Sequence, residues 1–154
     1  MLDPKEVRAG NWVLKITGTD TNTKSFYEYK PIALDEYYYT FAKVCFPIKL
    51  SSTILGKSGF QHEFGDWYKN LPSELIEGGL PFLRYKHKEK SWYIKDMKLP
   101  AQPVYLHQLQ NLYYALTGQE LTIRLGHFEN ISMVGPIDFF IKTMNKNLVI
   151  HSLL

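Results

Sequence analysis

The clearest hydrophobic pattern in this chain lies in its last third. Apolar residues recur there at positions i, i+3, i+7 and i+10, namely Leu106, Leu109, Tyr113 and Leu116. This spacing places them on one face of an α-helix. Pro103 precedes the stretch and Gly118 follows it, as is usual at the two ends of a helix. The pattern therefore predicts an amphipathic helix from Tyr105 to Thr117.

The first third of the chain is rich in alternating, β-branched and aromatic residues instead. Trp12 to Thr17, Ser25 to Lys30 and Tyr37 to Phe46 are predicted to be strands. Pro31 is expected to interrupt the chain after the second of them, because proline cannot donate to a ladder. Short strands with little helix between them predict a small antiparallel sheet, either curled or partly closed into a barrel.

The middle of the chain predicts a short helix followed by irregular structure. Ser51 is a candidate N-cap for a helix that contains Ile54 and Leu55, and Gly59 is a candidate stop. Residues 61–80 contain several glycines and prolines, which break long elements, and are predicted to be irregular.

The remaining segments predict a hairpin, a strand and a less regular tail. The predicted elements are a hairpin of Phe82 to Lys86 and Ser91 to Lys95 turning through His87 to Lys90, a strand from Leu121 to Leu125, a helix from Pro136 to Asn145 and a docked strand from Leu148 to Leu154. A strand is the alternative for the residues after Pro136. Taken in order, the elements predict an α+β fold in which the N-terminal sheet is followed by a short helix, a hairpin, the main helix and a closing strand.

Composition indicates one globular domain over residues 1–154. The chain is 45% hydrophobic and 21% charged, with a net charge of +3, which is ordinary for a folded protein and neither demands nor excludes nucleic-acid binding. Cys45 is the single cysteine, so no internal disulfide can form. The N-terminal residues lack the apolar core of a signal peptide, and no apolar run reaches membrane-spanning length. These features predict a cytoplasmic protein.

The first candidate binding surface is the basic hairpin. Its cations alternate along the chain as Arg84, Lys86, Lys88 and Lys90, with Trp92 nearby. If the first strand continued through residue 90, all four would share one face. If the turn falls earlier, Lys88 and Lys90 lie at its tip. Cations beside aromatic rings suit a nucleotide or single-stranded nucleic acid. The ordinary alternative is an edge strand that lysines keep soluble and unpaired.

The second candidate is the polar face of the predicted helix. It carries His107, Gln110, Asn111 and Tyr114, which have no formal charge while the histidine is neutral. Uncharged polar groups beside aromatic rings suit partial burial or a protein contact better than free solvent. Equally, its amides can bond to neighbouring loops within the fold. We expect this face to be covered, either by the C-terminal residues of the chain or by a partner.

Catalytic and metal-binding patterns are weak throughout the sequence. The histidines are widely spaced, at His62, His87, His107, His127 and His151, whereas metal ligands on one helix recur at short intervals. Cys45 lies in an apolar stretch, where a reactive thiol has neither base nor cation beside it. We therefore expect no catalytic residues, no metal and no cofactor, and hence a non-enzymatic protein.

Three stretches resemble a known group of proteins. They are Arg8-Ala9-Gly10-Asn11-Trp12-Val13, then Pro47-Ile48-Lys49-Leu50-Ser51 leading to Gly59-Phe60, and finally the segment from Tyr105 to Leu121, whose sequence is YLHQLQNLYYALTGQEL. This order resembles a family of small Bacteroidetes proteins of prophages and mobile elements that has no established activity. The resemblance covers residues 8–125, so residues 126–154 form a C-terminal extension that we expect to pack on the core.

The absence of assembled catalytic chemistry and the abundance of tyrosine, with 11 residues, favour a binding protein, and the resemblance implies that it is of phage or mobile-element origin. Such a protein would contact a host or phage macromolecule, for example to inhibit a host defence system, and a protein partner is the main expectation. The alternative is a nucleic-acid or nucleotide-binding protein that uses the basic hairpin of residues 84–98. No membrane partner is expected.

Overall fold

Two antiparallel sheets and three α-helices make up the described part of the chain, residues 1–19, 27–72, 81–130 and 132–152 of a computed structural model. The strands are β1 (Trp12–Thr19), β2 (Tyr27–Ala33), β3 (Cys45–Pro47), β4 (Gln61–Glu63), β5 (Asp66–Asn70), β6 (Phe82–Lys86), β7 (Ser91–Ile94), β8 (Met97–Lys98) and β9 (Met133–Gly135). The helices are α1 (Ser52–Lys57), α2 (Leu106–Thr117) and α3 (Phe139–Ser152). The predicted α+β class is confirmed.

The N-terminal sheet has the strand order β3-β1-β2-β9. It stays open in the described residues, since β3 and β9 are its two edges, so the barrel alternative is not realised. Pro31 does not interrupt the second strand as predicted. It lies within β2, opposite Leu14, whereas β9 pairs only with Tyr27–Tyr29. Beyond that contact no described strand pairs with this edge of β2, so a missing N–H is tolerated there.

The predicted strand from Tyr37 to Phe46 is wrong over most of its length. Two short 3₁₀ turns, Tyr38–Thr40 and Ala42–Val44, precede the three-residue strand β3. Local hydrogen bonds explain the difference. The Asp35 carboxylate accepts the backbone N–H of Tyr37 at 2.9 Å, and the Thr40 hydroxyl donates to the Tyr37 carbonyl at 2.8 Å. These bonds hold the backbone in turns and compete with a ladder.

The short helix forms as predicted, but the residues after it are more regular than expected. The Ser51 hydroxyl caps α1 by accepting the Ile54 N–H at 3.3 Å, and Gly59 has a left-handed φ of +80°. Strands β4 and β5 then form a hairpin, so the irregular prediction is wrong for residues 61–70. Its turn residues, Phe64 and Gly65, both have positive φ, which suits the twist of a tight hairpin. Residues 73–80 of that prediction lie outside the described residues.

The second hairpin and the main helix are both confirmed. Strands β6 and β7 pair up to Lys86 and Ser91, so the turn lies at residues 87–90 as predicted. Helix α2 begins after Tyr105 and ends at Gly118, whose left-handed φ of +69° terminates it.

The predicted strand from Leu121 to Leu125 is wrong, although its alternation is right. Leu121, Ile123 and Leu125 are buried, and Thr122 and Arg124 are exposed. The segment joins no sheet, and its Arg124 N–H donates to the carbonyl of Lys57 at 2.9 Å instead. Burial on one side was therefore readable from the sequence, but the absence of a partner strand was not.

The tail is helical for longer than predicted. Phe140 and Met144 are buried on the expected face of α3, but the helix continues beyond Asn145 to Ser152. The predicted stop at Asn145 is therefore wrong, as is the strand from Leu148 over its described residues. Residues 153–154 lie outside the described residues.

The main core lies between the two sheets and the helices. It takes side chains from both sheets, from α2 and from the C-terminal residues, among them Leu14, Leu83, Leu109, Phe128 and Phe140. A smaller core forms on the other side of β1 around Val13, Leu34, Ala42 and Cys45. Among the described residues no helix has the length and apolarity needed to cross a membrane.

Candidate functional site

A row of aromatic rings crosses one face of the five-stranded sheet. His62, Trp67, Tyr85 and Trp92 are directly paired on strands β4 to β7. Residues paired in this way project from the same face of the sheet. The ring centroids of His62 and Trp67 are 4.8 Å apart, and those of Tyr85 and Trp92 are 4.9 Å apart. We refer to these four residues as the aromatic row.

A cavity of about 260 Å³ lies against three members of this row, Trp67, Tyr85 and Trp92. The other lining residues come from three segments. Helix α1 and the residues before it contribute Lys49, Leu50, Ser51, Ser52 and Leu55; the connector before α2 contributes Pro103 and Val104; and the turn of the second hairpin contributes His87 and Lys90. We refer to this cavity as the aromatic pocket.

Backbone hydrogen bonds hold one wall of the aromatic pocket in place. The Leu50 N–H donates to the Val104 carbonyl at 3.0 Å, and the Leu106 N–H donates to the Ile48 carbonyl at 2.8 Å. Lys49 lies between these bonds, opposite Tyr105. Because the backbone on both sides of it is fixed, the lysine has a defined position beside the pocket.

The aromatic pocket combines flat apolar surfaces with positive charge. Lys49 and Lys90 are exposed, and neither forms an ion pair with a described residue. No aspartate or glutamate is among its described lining residues. The Trp92 indole N–H donates to the Pro103 carbonyl at 3.0 Å, which fixes that ring. Burial raises the pKa of the Tyr85 phenol, so it stays neutral and can donate a hydrogen bond. The arrangement suits a planar ligand that carries negative charge.

The structure separates the four cations that the sequence grouped. The turn at residues 87–90 rules out a single strand that carries all of them. Because side chains alternate along β6, Arg84 and Lys86 project from the sheet face opposite Tyr85. There Arg84 pairs with Asp66 at 2.6 Å and Lys86 with Glu89 at 3.4 Å. Lys88 lies at the tip, and Lys90 alone of the four lines the aromatic pocket.

Trp92 is less available than its place in the sequence suggested. Its side chain is 1% exposed and packs edge-to-face on Phe60 with centroids 5.7 Å apart. It therefore forms the floor of the pocket and is not a free stacking surface. The half-buried rings of Trp67 and Tyr85 are the accessible ones. The sequence did not point to Trp67 or Lys49 as site residues. The turn at Phe64 and Gly65 was the one local feature that could have indicated a strand containing Trp67.

The polar face of α2 is covered by the N-terminal segment of the same chain. The Gln110 side chain accepts the Trp12 N–H at 2.8 Å and donates to the Gly10 carbonyl at 2.9 Å. The Asn11 amide donates to the Asn111 side-chain oxygen at 3.0 Å. The alternative in which the amides bond to neighbouring segments within the fold is therefore confirmed for Gln110 and Asn111, and the expected cover by the C-terminal extension or a partner is wrong for these two residues. Their amides act within the fold.

The other two residues of this face have different surroundings. Tyr114 is 45% exposed, and the Arg8 guanidinium lies 4.2 Å from its ring centroid. His107 is 1% exposed, and neither of its ring nitrogens has a hydrogen-bond partner among the described residues. Burial lowers the pKa of His107 to about 4, so the imidazole is neutral at neutral pH. Neither residue lines the aromatic pocket.

The part of the chain that is described contains no cluster of metal ligands, and its single thiol is buried. No three of its histidine, cysteine, aspartate and glutamate side chains are close enough together to hold a metal ion. Cys45 is buried, and this burial raises the pKa of its thiol to about 11. The thiol is therefore protonated at neutral pH and is a poor nucleophile.

No protein-family model, curated protein or solved structure matches this chain. The resemblance to proteins of prophages and mobile elements therefore stays a prediction. The geometry of the aromatic pocket is the main basis for a functional proposal.

Proposed function

We propose that this protein binds a nucleotide, either free or as one unit of a single-stranded nucleic acid, in the aromatic pocket. The observation that carries the proposal is the pocket itself, in which Trp67 and Tyr85 lie beside Lys49 and Lys90 and no acidic side chain is among the described lining residues. A cytoplasmic location, which the single cysteine predicts, would give the protein access to such ligands.

The chemistry of each wall matches one part of a nucleotide. A base stacked on an aromatic side chain gains about 1–3 kcal/mol, and the half-buried rings offer that surface. Lysine binds phosphate as a point charge. Lys49 and Lys90, which form no ion pair with a described residue, supply that charge. Ser51 uses its oxygen to cap α1, so its hydroxyl hydrogen can still donate to a ligand.

Tryptophan fluorescence provides a direct test. Trp67 and Trp92 both line the pocket, so stacking of a base should quench their emission. Lys49→Gln and Lys90→Gln should each weaken nucleotide binding several-fold, because each removes one charge. Lys88→Gln is the matched control, since Lys88 is exposed in the same turn and does not line the pocket.

Two results would count against this function. Quenching that is the same in Lys49→Gln, Lys90→Gln and Lys88→Gln would place the ligand elsewhere. The absence of quenching by any nucleotide, together with purified protein free of nucleic-acid ultraviolet absorbance, would remove the proposal.

A protein-contact function is a second candidate, and a different surface supports it. The 3₁₀ turns before β3 expose Tyr37 by 59%, Tyr39 by 62% and Val44 by 43%. Tyrosine is enriched in protein interfaces because its ring is large and its hydroxyl is polar. This surface would serve the phage or mobile-element binding protein that the resemblance implies, including an inhibitor of host defence.

Affinity purification from host lysate, read by mass spectrometry, tests this second candidate. A specific partner should be lost when Tyr37 and Tyr39 are both replaced by serine, because the two exposed rings are removed. Lys49→Gln should retain the partner. A partner that the double variant still captures would contradict a contact through this surface.

A further inference from the structure

We infer that the ligand of the aromatic pocket is a free mononucleotide with a terminal phosphate, and not a stretch of single-stranded nucleic acid. This inference rests on the proposed function and names the class of ligand. Three properties of the described residues support it, namely the size of the pocket, the placement of the other aromatic rings and the placement of the other cations.

The pocket has room for one nucleotide unit. Its volume of about 260 Å³ is below the range of about 300–1,000 Å³ that is typical of small-molecule sites. A space of this size suits a single nucleotide, whose phosphate would then lie toward the exposed lysines. A second base of a polymer would have to bind outside the cavity.

The rings outside the pocket do not continue its stacking surface. Tyr68 and Tyr93 are both paired with Arg84 across the sheet, so they project from the opposite face. Both are already in contact with cations, because Arg84 lies over the Tyr68 ring at 5.3 Å and Lys86 over the Tyr93 ring at 4.2 Å. Among the described residues, a strand of nucleic acid leaving the pocket would meet the imidazoles of His62 and His87 beside Trp67 and Tyr85, which are smaller stacking surfaces than the rings of tyrosine or tryptophan.

The cations likewise match one phosphate monoester better than a chain of diesters. A polymer needs a row of free cations along its backbone. Arg84 and Lys86 are turned away and paired with carboxylates, which leaves Lys49 and Lys90 at the pocket. A phosphate monoester carries a charge of about −1.5 to −2 at pH 7, whereas each diester carries one. Two lysines therefore complement a terminal phosphate.

The test compares three probes on the full chain by fluorescence titration. They are the ribonucleoside 5′-monophosphates, the corresponding nucleosides, and single-stranded hexanucleotides without terminal phosphates. A monophosphate should bind about tenfold or more tightly than its nucleoside, because charge-assisted hydrogen bonds are lost with the phosphate. The hexanucleotides should bind no more tightly than the monophosphates.

Substitutions of single lysines show where the phosphate binds, and they separate a failure of this inference from a failure of the proposed function. Lys49→Gln and Lys90→Gln should weaken monophosphate binding but leave nucleoside binding unchanged, and Lys88→Gln should change neither. Hexanucleotides that bind more than about tenfold more tightly, with a steeper salt dependence, would overturn the inference while the proposed function stands. If no probe binds, both fail. Circular dichroism of each variant is the folding control, and it should show that replacing these exposed lysines leaves the fold unchanged.

Discussion

Acidification should destabilise this protein through His107 before most carboxylates titrate. The imidazole is buried and lacks a hydrogen-bond partner among the described residues, and burial lowers its pKa from 6.5 to about 4. The unfolded chain therefore takes up a proton at a higher pH than the folded protein does. Stability is full above pH 6.5 and falls as the pH decreases toward 4, because protonation then favours the unfolded state.

The size of this effect follows from the two pKa values. Each pKa unit corresponds to about 1.4 kcal/mol. Between pH 7 and pH 5 the free energy of unfolding should fall by about 2 kcal/mol from this group, and the full loss below pH 4 is about 3 kcal/mol. For a domain whose total stability is about 5–15 kcal/mol, this is a large fraction.

A variant without the imidazole isolates the effect. His107→Leu keeps a similar volume and removes both unpartnered nitrogens, so the variant should lose the acid sensitivity that belongs to His107. Urea unfolding of both proteins at several pH values gives the difference in their free energies of unfolding. That difference should increase in favour of His107→Leu by about 2 kcal/mol from pH 7 to pH 5.

Subtraction removes the contribution of other titrating groups, which both proteins share. A difference that stays constant from pH 7 to pH 5 would refute the reasoning, because it would show that His107 titrates alike in the folded and unfolded chains. A His107 signal in nuclear magnetic resonance that titrates near pH 6.5 in the folded protein would refute it independently.

Four further substitutions should alter the free energy of unfolding, measured in urea at pH 7. Asp66→Asn should cost about 2 kcal/mol, since a charged acceptor of two Arg84 hydrogen bonds is lost; a loss under 0.5 kcal/mol would contradict this. Gly118→Ala should cost about 1 kcal/mol because φ is +69°, whereas Gly56→Ala within α1 should stabilise by about 0.5–1 kcal/mol; the same sign for both would refute the backbone argument. Gln110→Ala should cost about 1–3 kcal/mol and speed proteolysis of the N-terminal segment, and unchanged proteolysis would contradict its role.

Elements that depend on nearby residues were the most predictable from the sequence. The spacing around Leu109, the cap at Ser51 and the left-handed stop at Gly118 each act within a few residues of the chain, and the predicted helices begin and end close to them. The prediction from Tyr37 to Phe46 failed because local hydrogen bonds of Asp35 and Thr40 favour turns there, which aromatic content does not reveal. Leu121 to Leu125 failed for a different reason, since no described strand pairs with that segment.

The candidate site could be predicted from the sequence only in part, because it depends on contacts between distant segments. Alternating cations are visible in the sequence, but the turn at residues 87–90 decides which face each one occupies. Arg84 and Lys86 then find carboxylates from residues 66 and 89. The pocket also needs Lys49 and Trp67, which come from segments distant from the hairpin. A site assembled from four segments has no short motif, so spacing alone could not reveal it.

The start of α2 connects the two candidate surfaces predicted from the sequence, namely the basic hairpin and the polar face of this helix. The Leu106 N–H donates to the carbonyl of Ile48, which fixes the segment that carries Lys49 at the aromatic pocket. One turn further along the helix, Gln110 bonds to the N-terminal residues Gly10 and Trp12. Helix α2 thus positions a wall of the pocket while its polar face is occupied by the chain itself. In the proposed function the hairpin, together with Lys49 and Trp67, would supply the contacts to the nucleotide.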